Sequence, residues 1–104
     1  MRRAEILIDQ QLAGILTETE DAYSFEYDKT YLKSKPQKAV SLTLPLQEEP
    51  IKSDYLFPFF DGLIPEGWLL ELVQKNWKLN PRDRMGLLLA TCRDCIGNIS
   101  VRPL

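Results

Sequence analysis

At 104 residues, 44% hydrophobic and 27% charged, the chain has the length for one domain, residues 1–104, with one modest core. Its net charge of −2 argues against a nucleic-acid binder, which needs a surplus of Lys and Arg to neutralise phosphate. The absence of His removes the commonest general base and the commonest zinc ligand, and so small a core leaves little room for a lidded catalytic cleft.

At the amino end, Met1-Arg2-Arg3 runs straight into Ala4-Glu5, unlike a secretory signal. No apolar run approaches the ~20 residues of a membrane span. With two Cys and no signal, the composition reads as cytoplasmic. Ala4 to Asp9 alternates through Ile6 and Ile8 and predicts a strand. Gln10-Gln11 predicts a turn, and Leu12 to Thr17 the second strand of a hairpin. After an acidic turn, Tyr23 to Tyr27 alternates aromatic with polar and predicts a third strand.

Asp28 to Lys38 reads as a polar, Lys-rich connection. Ala39 to Leu44 (AVSLTL) alternates again and predicts a fourth strand ending at Pro45, with Gln47 to Asp54 as an acidic loop beyond it. Tyr55 to Trp68 (YLFPFFDGLIPEGW) then gathers three of the four Phe with two Pro, two Gly and a Trp. Pro removes donors and fixes φ, and Gly opens unusual backbone shapes, so the stretch predicts a shaped aromatic corner rather than a regular element. It leads into a helix at about Pro65, with Glu66 suited to the first turn. Two readings stay open: a corner that closes the core, or one that also carries a binding surface.

From Glu66 to Trp77 the apolar residues form a helical stripe of Leu69, Leu72 and Val73, with Trp68 and Trp77 at its opposite edges. Asn80-Pro81-Arg82-Asp83 predicts a second helix start, with Asn80 as N-cap and Asp83 in the capping-box slot. That helix runs to about Thr91 and buries Met85, Leu88 and Leu89. Ile99 to Val101 predicts a short final strand stopped by Pro103. The pattern is α+β: a small antiparallel sheet from the N-terminal half, packed against two or so C-terminal helices, with a short closing strand.

Chemistry is sparse. Cys92-Arg93-Asp94-Cys95 spells C-x-x-C, but it follows a helix C-terminus, where the dipole would raise rather than lower a thiol pKa. The chain has no further Cys or His to complete a zinc site, so these read as structural cysteines. Asp61 and Glu66 flank the corner and suit turn and helix N-terminal contacts better than acid–base work. No phosphate loop or nucleophile elbow is present. The residues therefore predict no catalytic residue, no cofactor and no metal.

At Phe59 to Trp68 (FFDGLIPEGW) the sequence resembles the N-terminal subdomain of HipA-type serine/threonine kinases, in which F-F-x-x-L-L-P-E-G leads into a helix. Tyr27, Tyr31-Leu32 and Val40 to Pro45 resemble the family's upstream segments. Asp83, Gly86 to Leu88 and Asp94 to Gly97 resemble its closing L-L…D-C-x-G-A segment. Asn98 departs from the family's Ala, and Leu69-Leu70 from a basic residue often found after P-E-G. The chain stops before any ATP-binding loop or catalytic Asp, and in this it is similar to the HipS family of three-component HipBST toxin–antitoxin systems.

That resemblance implies an antitoxin that binds and inhibits a HipT-like kinase toxin directly, with a HipB-like DNA-binding protein as third component. It implies no direct nucleic-acid or membrane contact by this chain. The alternative is a structural or activating subunit of a split kinase. Partner-binding residues are expected at Trp68, Phe59, Asp61, Ile64, Glu66 and Trp77. Trp68 heads them because Leu69, Leu72, Val73 and the Phe cluster already fill the core; its rival role is a lid on that core.

Overall fold

The computed structural model describes residues 1–34, 38–64, 82–91 and 98–104. The expected helix from Glu66 to Trp77, the Asn80-Pro81 helix start and the Cys92–Cys95 pair lie outside them. The described residues form an α+β fold around one five-stranded antiparallel sheet of order β4-β3-β2-β1-β5. Its strands are β1 (Arg2–Ile8), β2 (Gln11–Glu18), β3 (Tyr23–Tyr27), β4 (Ile51–Ser53) and β5 (Ile99–Pro103).

Alternation sorts the two faces. Cross-strand partners share a face, and the register pairs Ile6 with Gly14 and Val101, and Leu16 with Ala4 and Phe25. The buried face therefore carries Ala4, Ile6, Ile8, Leu16, Phe25, Tyr27, Ile99 and Val101. Arg3, Glu5, Thr17, Ser24, Glu26, Lys52 and Arg102 take the opposite face, which is mostly polar but also carries Ile15, Leu12 and the buried Leu7. A one-residue slip would exchange these sets, so the pattern itself pins the register.

The β1–β2 hairpin turns on Asp9-Gln10, one residue earlier than expected. Both residues have positive φ, 51° and 68°, the twist that two-residue hairpins favour. Farther along, Leu7 pairs with Leu12 while Ile6 pairs with Gly14, so Ala13 is an extra residue in β2. Gly14 is there because the Phe25 ring lies against it. A Cβ at this position would stand 2.7 Å from Phe25 Cζ and 2.5 Å from the Glu26 carbonyl oxygen.

Three short helices are described: α1 (Lys29–Lys33), α2 (Pro58–Asp61) and α3 (Arg84–Thr91). α1 corrects the expected loop. Asp28 caps it by accepting a hydrogen bond from the Tyr31 amide at 3.1 Å, which turns Tyr31 into the core. The expected strand over Ala39 to Leu44 is also corrected. Strand β4 lies instead in Ile51–Ser53, within the stretch expected to be loop, and pairs with Tyr23 to Phe25.

The reason lies in Tyr27. Its hydroxyl accepts from the Val40 amide at 2.9 Å and donates to the Leu44 carbonyl, satisfying backbone groups that a ladder would otherwise serve. Ser41 and Leu44 close a tight turn between those two bonds. Val40 and Leu44 point inward and Leu42 stands fully in solvent, whereas a strand would place all three on one face.

α3 begins at Arg84 rather than at Pro81, and Asp83 is its cap rather than a capping-box residue. The Asp83 carboxylate accepts from the Gly86 amide at 3.1 Å. The same carboxylate takes two hydrogen bonds from Arg2, at 2.7 and 3.0 Å, while Arg2 also grips Glu18 at 2.6 and 3.0 Å. Tyr23 donates to Glu18 at 3.1 Å. One guanidinium thus fastens the start of α3 to β1, β2 and β3.

Gly86 belongs to that clamp. A Cβ there would fall 2.8 Å from Asp83 Cγ and 3.1 Å from Arg2 Nη1. Gly→Ala inside a helix ordinarily stabilises by about 1 kcal/mol. Here Gly86→Ala is expected to destabilise, because the carboxylate must leave both its cap and its arginine, together worth more than the propensity gain. In an Asp83→Ala background the same change should become stabilising. Chemical denaturation of the four proteins checks that change of sign. The Arg2 hydrogen bonds hold the Asp83 carboxyl below its ordinary value, against desolvation. Its folded value is depressed, so this stabilisation is present at neutral pH and lost as pH falls through the folded value; Asp83→Asn should flatten that acid limb.

Candidate partner-binding surface

The aromatic corner is built on one helical turn that was not expected from its sequence. Phe57 is the N-cap and Pro58 the first helical residue, a position where a missing amide costs nothing. The Asp61 and Gly62 amides close the turn onto Phe57 and Pro58, each at 2.9 Å, and Leu63 and Ile64 continue it onto Phe60 and Asp61 at 3.1 and 3.2 Å. This regularity divides the side chains cleanly. Phe57 and Phe60 go into the core, and Phe60 is completely buried. Its ring centroid lies 5.7 Å from Phe25, 6.1 Å from Phe57 and 5.4 Å from Phe59, all tilted or edge-on contacts that suit the ring quadrupoles.

On the outer side, Phe59 is half-buried, Pro58 and Gly62 are exposed, and Tyr55 is 79% exposed. Asp61 is half-buried and accepts a hydrogen bond from Arg84 Nε at 2.6 Å. That ion pair lashes the corner to the first turn of α3. It is partly solvated, so its value lies in fixing position more than in stability.

The six expected contact residues therefore fall into three groups. Phe59 and Asp61 lie side by side in α2 with part of each in solvent. Ile64 is 2% exposed and belongs to the core, where it supports the corner from beneath. Glu66, Trp68 and Trp77 lie outside the described residues. Tyr55, at the head of the same stretch but not among the six, is exposed as well, beside a turn in which the Ser53 hydroxyl accepts from the Tyr55 amide at 3.2 Å.

Among the described residues, no group of three or more His, Cys, Asp or Glu is placed to hold a metal ion. No described helix is long and apolar enough to cross a membrane. Burial raises the hydroxyl of Tyr27 above its ordinary range, partly offset by the Val40 amide, so it stays protonated as a structural donor.

Residues 4–102 match the model of the HipA N-terminal domain. The chain belongs to that family. The chain is also similar to an uncharacterized protein of Haemophilus influenzae (strain Rd), 28% identical over 102 residues, 98% of this chain and 92% of that one. A solved structure, the N-terminal domain of HipA toxin, superposes with a TM-score of 0.74 at 23% identity. It covers 100% of this chain and 93% of the solved one, a likeness of fold. Within the HipA N-terminal domain fold, the aromatic corner and the clamp at Asp83 are the parts that hold the described end of α3 against the sheet.

Proposed function

We propose that the chain is an antitoxin that binds a HipT-type serine/threonine kinase and holds it inactive, in a complex completed by a HipB-like DNA-binding protein. The observation that carries this reading is the extent of the family match, residues 4–102, which makes almost all of this sequence the non-kinase part of a HipA-like protein. A domain that is joined to a kinase body in one protein keeps an apolar face suited to that body when it acts from a separate chain. The Haemophilus influenzae relative, aligned over 92% of its length, supports the occurrence of this domain as a protein of its own. In this reading the chain works in the cytoplasm, carries no catalytic residue and needs no cofactor.

The contact surface is the aromatic corner and the segment that follows it: Phe59, Asp61, Glu66, Trp68 and Trp77 on the surface, with Ile64 beneath. Trp68 is the principal contact. A Trp close to a fixed turn loses little freedom on binding, and Trp is among the residues most enriched at interface hot spots. Trp68→Ala is expected to weaken kinase binding by on the order of 2 kcal/mol, roughly 30-fold, with folding intact. Calorimetric titration and a melting curve on the same sample check this. Full affinity in a folded variant moves the main contact to Trp77 or the Phe57 to Asp61 turn.

Co-expression tests the reading as a whole. Growth restored when this chain accompanies the kinase supports the antitoxin. Growth lost only when both are present overturns it in favour of an activating subunit.

A further inference from the structure

We propose that a groove beside α1 is a second docking point, taking an acidic side chain that the partner carries next to an apolar one. The inference rests on the antitoxin reading only for the identity of that partner. The groove is a concave space of about 260 Å³ lined by Lys29, Leu32, Lys33 and Glu48. None of these belongs to the aromatic corner.

Lys29 and Lys33 stand four residues apart on α1, a like-charged spacing that disfavours a helix. Both are exposed, as is Glu48. Among the described residues none of the three is in an ion pair, although Glu48 lines the same groove as both ammonium groups. Among the described residues the ion pairs are those of Arg2 with Glu18 and Asp83 and of Arg84 with Asp61, none of them at the groove. Two like charges on one face of a short helix, with no partner among the described residues, are available to a charge brought from outside.

Charge and shape select the occupant. Among the described lining residues, two ammonium groups against one carboxylate leave a single positive charge in excess around the half-buried Leu32. A nucleic-acid backbone is the wrong ligand, since Glu48 repels it and the whole chain is net negative. A peptide segment with one Asp or Glu beside a Leu, Met or Phe satisfies the groove. Its carboxylate sits with the lysines and its apolar neighbour covers Leu32. Charges at so open a rim act mainly on association rate and salt dependence.

The test is the rate and affinity of binding to the partner kinase at low and high salt. It compares the wild type, Lys29→Glu with Lys33→Glu, and Lys52→Glu, a control on the polar face of β4. The double variant should bind about tenfold more weakly, mostly through slower association, and lose most of the salt dependence. Lys52→Glu should bind as the wild type does. Lys29→Gln with Lys33→Gln removes the charge without reversing it; it should melt no lower than the wild type and bind about threefold more weakly. Unchanged affinity in either folded double variant, or an equal loss in Lys52→Glu, overturns the groove and leaves the antitoxin reading standing. A wild type that does not bind the kinase overturns both.

Discussion

Phe60→Ala is expected to cost about 3–5 kcal/mol of folding stability, the range for truncating a fully buried aromatic residue. Phe60 has no exposed surface and meets Phe25 of β3, Phe57 and Phe59, so its loss opens a cavity between α2 and the sheet. None of these neighbours is free to fill it. Phe25 is held over Gly14, and Phe57 is fixed by its place at the N-cap of α2. A domain of this size has about 5–15 kcal/mol in total, so the melting temperature should fall by roughly 15–30 °C. Phe59→Ala, at a half-buried position, should cost under about 2 kcal/mol. Denaturant titration of the two variants separates them, and similar losses would mean that the corner is not anchored through Phe60.

Tyr27→Phe removes one oxygen and is expected to cost about 2–4 kcal/mol, because it strands two buried backbone groups at about 1–3 kcal/mol each. The Val40 amide loses its acceptor and the Leu44 carbonyl its donor. Tyr27 is 2% exposed and Leu44 fully buried, so water cannot easily replace the hydroxyl. The comparison is Tyr31→Phe. The Tyr31 hydroxyl also bonds a backbone, donating to the Lys38 carbonyl at 2.6 Å and accepting from its amide at 3.1 Å, but Lys38 is exposed and solvent can take over. That variant should lose about 1 kcal/mol or less. Amide exchange at Val40 should accelerate in Tyr27→Phe and remain slow in Tyr31→Phe.

These two residues also mark how far the sequence could be read. Strands β1, β2, β3 and β5 were legible because each has one face in the core and one in water, so Ile6, Ile8, Phe25, Tyr27, Ile99 and Val101 recur with period two. The corner was legible as an aromatic cluster, though not as a helical turn, because Pro58 marks a helix start as readily as a loop. AVSLTL misled because a turn bracketed by two inward residues has the same alternation as a strand. Only the Tyr27 hydroxyl, 13 residues before Val40, distinguishes them. Ile51–Ser53 was missed because three residues are too few to show a period, and its strand character comes from pairing with β3. α1 is a single turn held by the Asp28 cap and by Tyr31, with no helical stripe to reveal it. Of the residues expected at the partner surface, Phe59 and Asp61 stand half-buried on the outer side of α2. Ile64, expected among the contacts, is buried, because the turn continues through it with its amide bonded to the Asp61 carbonyl.

The placement of β5 governs when this protein can finish folding during its synthesis. β1 is flanked by β2, made immediately after it, and by β5, which brings Ile99 and Val101 opposite Ile8 and Ile6. Until residues 99–103 have left the ribosome, the outer edge of β1 has no neighbour, and one flank of the apolar face stands open. Closing so long a loop costs on the order of 4 kcal/mol of chain entropy, returned only when the strand docks. Until then the nascent hairpin presents the outer edge of β1 to other chains, an edge that β5 covers in the native sheet. The interval between translation and docking of that strand therefore sets how soon the five-stranded sheet can be complete.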